Sequence, residues 1–430
     1  MVSSLLRNFR TGAQRPYFSL PQLSAPASVL SGLSVPGRLR LAAAESATGF
    51  QFGVLPEADL PRRVQAGEAI ARDPRGFPLL APVPGIIDYE PETQTFTLKT
   101  EGAVKFGASV PTGEDTPGPI VELQDVGDAA QLRLDFLKSL LQSGVPSLDF
   151  RGLSLNALFA RALEQDHVRV VVSRRDGDGG IDWSRIFAAR EAQIHRLIEF
   201  FGRLHGRLTC TLGPRGASGP EVYGETLPRV LIQRLPAVPG FPETIDPERE
   251  LAEQGIVFLG PATLFALLDW MFEGRPFTDR LTVIRSVDSK NSQLFRLING
   301  YDLQLLFQEK LPDAKLRAKR VVVAGNLIQH PPRDFSDPAL QTQNIFGSVN
   351  FQILREDALP TRGAQLPCTL CMACEQICPV DAGPFALLEG RPEEFRAREC
   401  LECGLCDFVC ESGIRISDEI AARRVQIRSA

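Results

Sequence analysis

Eight of the chain's nine cysteines fall between Cys368 and Cys410, in two runs of identical spacing. The first run is Cys368, Cys371, Cys374 and Cys378, followed by Pro379. The second is Cys400, Cys403, Cys406 and Cys410, followed by Glu411. Both read C-x₂-C-x₂-C-x₃-C. Three thiolates at intervals of three residues wrap one loop around a single iron–sulfur cube and leave its fourth iron for a cysteine from elsewhere. Where two such runs occur together, the fourth cysteine of each ligates the other run's cube. The spacing therefore predicts one [4Fe-4S] cluster on Cys368, Cys371, Cys374 and Cys410, and a second on Cys378, Cys400, Cys403 and Cys406. Two Cys₄ zinc sites are the alternative. Zinc ribbons are built from two separated C-x₂-C pairs and do not need the middle cysteine of each run. With four ligands per cluster neither cube has an open position, so the expected chemistry is one-electron transfer and not substrate binding.

The rest of the chain must position that pair. Its 430 residues are too many for one core, and about three domains are expected. With 43% apolar residues the composition is globular. A net charge of −5 argues against nucleic acid as the main partner. No apolar run reaches the roughly 18–20 residues of a membrane helix. A chain of this length needs no disulfide staple, and the start shows no sustained apolar core of a secretory signal, so a reducing compartment is expected. The first 44 residues hold five Arg and no Asp or Glu. They read as a flexible basic segment, similar in composition to a transit peptide or an arm for an anionic surface.

Short alternating apolar stretches at 64–71, 79–88 and 95–99, with Gly and Pro turns, predict a small β-sandwich or barrel. Acidic residues 111–128 read as a linker. Helical spacing over 132–141 and 155–163, a strand at Val168–Val172, a helix face at Ile194, Leu197, Ile198, Phe201 and Leu204, and a strand at Leu208–Leu212 predict a parallel sheet with helical crossovers. Beyond a Pro-rich break at 236–242, a strand (255–259), a helix (263–273), two strands (281–287 and 294–298), a short helix (303–308) and a strand (320–324) suit a small α+β unit. Residues 329–345 read as loop. His167, His195, His205 and His330 show no ligand spacing, and Cys210 reads as a small apolar strand residue.

On the paired cysteine motif at its C-terminal end, the chain resembles the RnfC family, the cluster-bearing subunit of Rnf electron-transport complexes. It also resembles the related NqrA family of sodium-translocating NADH:quinone reductases, which lack these clusters. Residues 62–88, from Gln65-Ala66-Gly67-Glu68 to Pro82-Val83-Pro84-Gly85, are similar to the lipoyl-type barrel of both families. No Lys precedes Lys99, so lipoylation is not expected. Residues 256–306 resemble the family's β-grasp segment, and Arg320 to Asn326 its Gly-rich stretch. The resemblance implies a multidomain α+β chain. It would comprise a basic flexible segment (1–30), a lipoyl-like barrel-sandwich domain (31–110), a Rossmann-like α/β domain (125–235), a β-grasp-like (SLBB) domain (240–335) and a helical two-[4Fe-4S] ferredoxin-like domain (360–420).

The same resemblance implies an electron-transfer subunit of an ion-translocating membrane oxidoreductase. It would sit peripherally on the cytoplasmic side, between a ferredoxin- or NADH-linked partner and membrane subunits. It also implies FMN and NADH chemistry. Of the family's glycine-rich flavin loop, however, only Gly144 and Pro146 match, which leaves Gly144 as the candidate flavin-loop residue. The Arg174-Arg175 loop that follows the next strand reads as a solvated turn. Two alternatives stand beside the electron-transfer subunit: a complete FMN-dependent NADH dehydrogenase, and a non-catalytic adaptor whose clusters only fold the tail.

Overall fold

A computed structural model describes residues 23–24, 33–42, 44–45, 50–55, 59–101, 105–106, 118–148, 154–172, 181–212, 252, 254–286, 292–310, 317, 319–324, 334–336, 350–355, 366–378, 382–391, 393–396, 406, 410, 412–416 and 419–420. The first unit is a sandwich of two antiparallel sheets. One sheet holds β1 (Arg38–Ala42), β7 (Thr95–Thr100), β6 (Gly85–Glu90) and β3 (Arg62–Val64), in that order. The other holds β2 (Gly53–Val54), β4 (Ala69–Arg72) and β5 (Pro78–Leu80). Leu39, Leu41, Phe96, Leu98 and Ile87 of the first sheet and Ile70, Ala71 and Leu79 of the second belong to one buried apolar cluster. A side chain at Gly85, paired with Val64 and Thr100, would overlap the Lys99 carbonyl, so this strand needs glycine for close approach. Within the basic segment, Leu23–Ser24 pairs in parallel with Ile181–Asp182.

The second unit has a three-stranded parallel sheet, β9 (Leu208–Leu212), β8 (Val168–Val172) and β10 (Ile256–Leu259), with the first strand in the middle. Around it lie α1 (Ile120–Gln124), α2 (Ala129–Ser143), α3 (Leu155–Ala162), α4 (Ser184–Ala189), α5 (Glu191–Leu204) and α6 (Pro261–Glu273). Helix α1 falls in the stretch expected as linker. Its Ile120 and Leu123 are buried, and Gly118 before it donates to the Phe272 carbonyl at the end of α6. Strand β10 lies beyond residue 235, yet it completes this sheet, and helix α6 follows it. Phe136, Phe159, Phe200 and Phe201 stack between α2, α3 and α5, with ring centroids 5.2 Å apart for Phe136–Phe159 and 5.3 Å for Phe159–Phe201.

The third unit runs over 279–355. Its sheet is ordered β12 (Ser292–Ile298), β11 (Asp279–Ser286), β14 (Asn350–Arg355), β13 (Arg320–Ala324), and α7 (Leu303–Lys310) lies between the second and third strands in sequence. The central pair β11–β14 is parallel and the two flanking pairs are antiparallel. The three units pack directly. Arg40 N–H donates to Gly300 O (3.2 Å), and Phe277 N–H to Ser143 O (2.8 Å). Among the described residues no helix is long and apolar enough to cross a membrane.

A buried ion network fastens the second unit to the third. Arg296 on β12 donates to Asp269 of α6 at 2.7 Å and to Asp279 of β11 at 2.6 Å. Arg190, between α4 and α5, also binds Asp269 and reaches Glu273 at 2.9 Å, and Arg275 pairs with Glu273. Burial alone would raise the Asp269 carboxyl, but Arg296 and Arg190 outweigh it and hold it below the usual carboxylate range. Asp269 therefore contributes stability that is present above the ordinary carboxylate pKa and is lost as pH falls through its depressed folded value.

Arg296→Met should cost about 3–5 kcal/mol near pH 7, because it strands buried carboxylates. The cost should shrink below about pH 4, where those groups take up protons. Urea unfolding followed by Trp183 and Trp270 fluorescence reads this; a cost independent of pH would contradict the network's role.

Candidate metal centre

The tail folds around its first cysteine run. Helix α8 (Ala373–Ile377) carries Cys374 in its first turn, and Cys378 is its C-cap residue. The x₃ spacing thus places the fourth thiol about 6 Å along the helix axis from the third, away from the loop that holds the first three. That loop is wound tightly. Leu370 (φ 58°) and Met372 (φ 55°) both lie in the left-handed region, which costs an unbranched side chain on the order of 1–2 kcal/mol each. The winding aims backbone donors at sulfur: Leu370 N–H donates to Cys368 Sγ (3.4 Å). Beyond α8, Ala382 N–H donates to Cys378 Sγ (3.2 Å). Helix α9 (Pro384–Leu388) follows, and its Phe385 N–H is accepted by the Glu375 carboxylate (3.2 Å).

Two crossings tie the cysteine runs together. Leu366 N–H, two residues before Cys368, donates to Ser412 O, two residues after Cys410, at 2.8 Å. The buried Ser412 hydroxyl returns a bond to Pro367 O (2.9 Å). In the same manner Arg396 N–H, four residues before Cys400, donates to Ala382 O, four residues after Cys378, at 2.8 Å. The lead-in of each run is therefore laced to the chain leaving the other run.

Cys371 is exposed, Cys374 and Cys406 are buried, and Cys368, Cys378 and Cys410 are half-buried. Cys400 and Cys403 lie outside the described residues. Among the described residues no three Cys, His, Asp or Glu side chains converge as the ligands of a single ion would. Burial pushes the Cys374 thiol up to about 12, with the neighbouring Cys371 adding to the rise. Coordination would have to displace that proton, so occupancy and pH are linked here. The tail's buried Ala382, Phe385, Phe395, Ile416 and Ile420 stand apart from the main apolar cluster.

The other residues singled out in the sequence lie elsewhere. Gly144 is the C-cap of α2, at φ 64°, and a β-carbon there would come within 2.9 Å of Leu80 Cδ1. The amides around it are engaged internally: Gly144 N–H on Leu141 O (3.3 Å), Val145 N–H on the Ser143 hydroxyl (3.0 Å) and Leu148 N–H on the Thr263 hydroxyl (2.9 Å). A phosphate cradle needs such N–H groups pointing outward; here they are spent on hydrogen bonds within the second unit. Cys210 sits on β9, and burial pushes its thiol up to about 12, far from the thiolate of a reactive cysteine. His205 caps α5, and its Nδ1 accepts from Arg207 N–H (3.2 Å). Burial first, then Arg133 and Arg207, hold that ring below its ordinary pKa. His330 and the Arg174-Arg175 loop lie outside the described residues. The buried network of Asp269, Asp279, Arg190 and Arg296 was missed by sequence reasoning; an Asp within an otherwise apolar helix was its one visible sign.

The chain matches no family model and no curated protein.

Ser412→Ala deletes a buried hydrogen bond at the first crossing and should cost about 1 kcal/mol locally. Hydrogen exchange of the amides in 366–374 should quicken several-fold while those of β8 stay unchanged. Equal protection in both proteins would show that the crossing does not hold the loop.

Proposed function

We propose that the chain is an electron-transfer protein whose tail carries two [4Fe-4S] clusters. One is held by Cys368, Cys371, Cys374 and Cys410, the other by Cys378, Cys400, Cys403 and Cys406. The observation that carries this reading is the pair of crossings, Leu366 to Ser412 and Arg396 to Ala382. They bond the lead-in of each run to the chain that leaves the other. The left-handed turns at Leu370 and Met372 and the two N–H to sulfur bonds support it, because backbone donors to cluster sulfurs are a principal control of cluster potential. When bound, such clusters supply reversible one-electron storage. The chain's own residues hold them, shield Cys374 and Cys406, and present Cys371.

The order of units supports placement in an Rnf- or Nqr-like membrane oxidoreductase as its peripheral cluster-bearing subunit. A two-sheet sandwich, a parallel α/β sheet and a four-stranded mixed sheet precede the tail, where the RnfC resemblance implies a lipoyl-like, a Rossmann-like and a β-grasp-like domain. The internal use of the amides around Gly144 weighs against a complete flavin-dependent dehydrogenase on this chain.

Protein purified without oxygen should contain about eight iron and eight acid-labile sulfide per chain, and its reduced form should show two interacting paramagnets. Cys410→Ser should remove about half the iron and leave the second cluster's signal uncoupled. Zinc with no labile sulfide would overturn the assignment. The membrane placement is checked separately by co-purification with membrane subunits, and a protein that remains alone in the soluble fraction and passes them no electrons would refute it.

A further inference from the structure

We propose that His205 is a proton-operated latch on strand β9: the neutral ring holds the strand's entry in register, and protonation in mildly acidic solution lets that end of the strand fray. No cysteine of the tail takes part, so the latch is independent of the cluster reading. Strand β9 lies at the edge of the parallel sheet and has one ladder, to β8. Its entry is the turn His205-Gly206-Arg207, directly after α5. Three bonds fix this turn. Leu208 N–H donates to His205 O (3.0 Å), Arg207 N–H to His205 Nδ1 (3.2 Å), and Val168 N–H of β8 to Arg207 O (3.3 Å). The ring thus holds the residue whose carbonyl opens the ladder. Nδ1 accepts only while it carries no proton, because a protonated imidazole has two N–H groups and no acceptor. Protonation breaks the ring bond and sets two N–H groups against each other.

The surroundings also oppose a charged ring. Arg133 of α2 donates to Leu204 O (3.4 Å) and Leu163 O (3.3 Å), at the C-terminal ends of α5 and α3. Its charge bears on the ring, as do those of Arg207 in the turn and His167 just before β8. Asp166 and the C-terminal end of α5 pull the other way. Burial first, then Arg133 and Arg207, with His167 added, outweigh them and hold the ring below its ordinary pKa. The unfolded chain therefore binds the proton more readily than the folded one. The latch's stability is fully present above the ordinary histidine pKa of about 6.5 and is lost as pH falls through the lowered folded value. Little else holds this end of the strand, since Thr209 is exposed and Leu208 and Cys210 are only half-buried.

The test is hydrogen exchange of the full chain, read residue by residue by NMR and corrected for the intrinsic effect of pH on each amide. Between about pH 7.5 and about pH 5.5 the protection of the Val168 and Leu208 amides should fall several-fold. The Arg169 amide donates to Gly255 O (2.7 Å) on the other side of β8, and its protection should hold. His205→Asn puts an amide oxygen that takes no proton near the place of Nδ1, so protection at Val168 and Leu208 should no longer depend on pH. His205→Gln serves if the Asn variant fails to fold. His195→Asn, at an exposed position of α5, should keep the wild-type behaviour. The His205 ring itself should titrate below the ordinary histidine value. Protection independent of pH in the wild type, a pH dependence that survives the His205 substitution, an equal loss at Arg169, or a ring that titrates at or above the ordinary value would overturn the latch.

Discussion

The backbone bonds between Leu366 and Ser412 and between Arg396 and Ala382 close loops of roughly fifteen to forty-five residues in a short segment. Loop closure of this size costs several kcal/mol of chain entropy, and a unit this small rarely recovers that from its core alone. Phe385, Phe395, Ile416 and Ile420 supply a core, but the tail also buries Cys374 and Cys406 and holds two left-handed residues in one loop. The two left-handed residues are costly in a bare polypeptide, whereas a buried neutral thiol is not. That cost is offset if the thiolates are ligands, because ligand binding free energy is then folding free energy. The tail's shape and its proposed chemistry thus depend on the same contacts.

The rest of the molecule is held by a different kind of constraint. Helix α6 is buried over most of its length, from Leu264 and Phe265 to Leu268 and Met271, so a charge at position 269 has no route to water. Asp269 is tolerated there because Arg190 and Arg296 approach it from two other elements. Three carboxylates, Asp269, Glu273 and Asp279, face three guanidinium groups, Arg190, Arg275 and Arg296. The junction is close to neutral and geometrically demanding. Replacing the whole set with apolar residues could preserve stability, but removing one member cannot. Such a network fixes the angle between the parallel sheet and the third unit more than it strengthens either.

How far the sequence was legible follows from the range over which each signal acts. The cysteine runs, the strand at Val168–Val172 and the helix face of α5 are local patterns with a fixed period, and they are readable as such. Strand β14 was read over, although Phe351, Ile353 and Leu354 are buried, because one six-residue strand after a long loop gives a weak pattern until its partners β11 and β13 are known. Helix α1 was read as linker because five residues behind Pro119 carry little helical signal; it is held by contact with α6. The sheet's third strand, β10, lies more than forty residues beyond β9, and only pairing with β8 assigns it to the second unit. Gly144 matched a loop motif by type, yet a left-handed helix end demands glycine just as strongly as a phosphate cradle does. Residue identity could not separate the two, and the hydrogen-bond partners of the neighbouring amides could.

The two cysteine runs are identical in spacing, and their described residues bring comparable contacts to sulfur. Of the proposed first cluster's ligands, Cys371 is exposed, Cys374 is buried, and Cys368 and Cys410 are half-buried; of the second's described ligands, Cys378 is half-buried and Cys406 buried. Each proposed cluster receives one described backbone donor, Leu370 N–H at Cys368 and Ala382 N–H at Cys378, at closely similar distances. Hydrogen bonding at these two sulfurs therefore does little to distinguish the proposed clusters, and a difference between their potentials would have to come from solvent access and from the contacts of the remaining ligands.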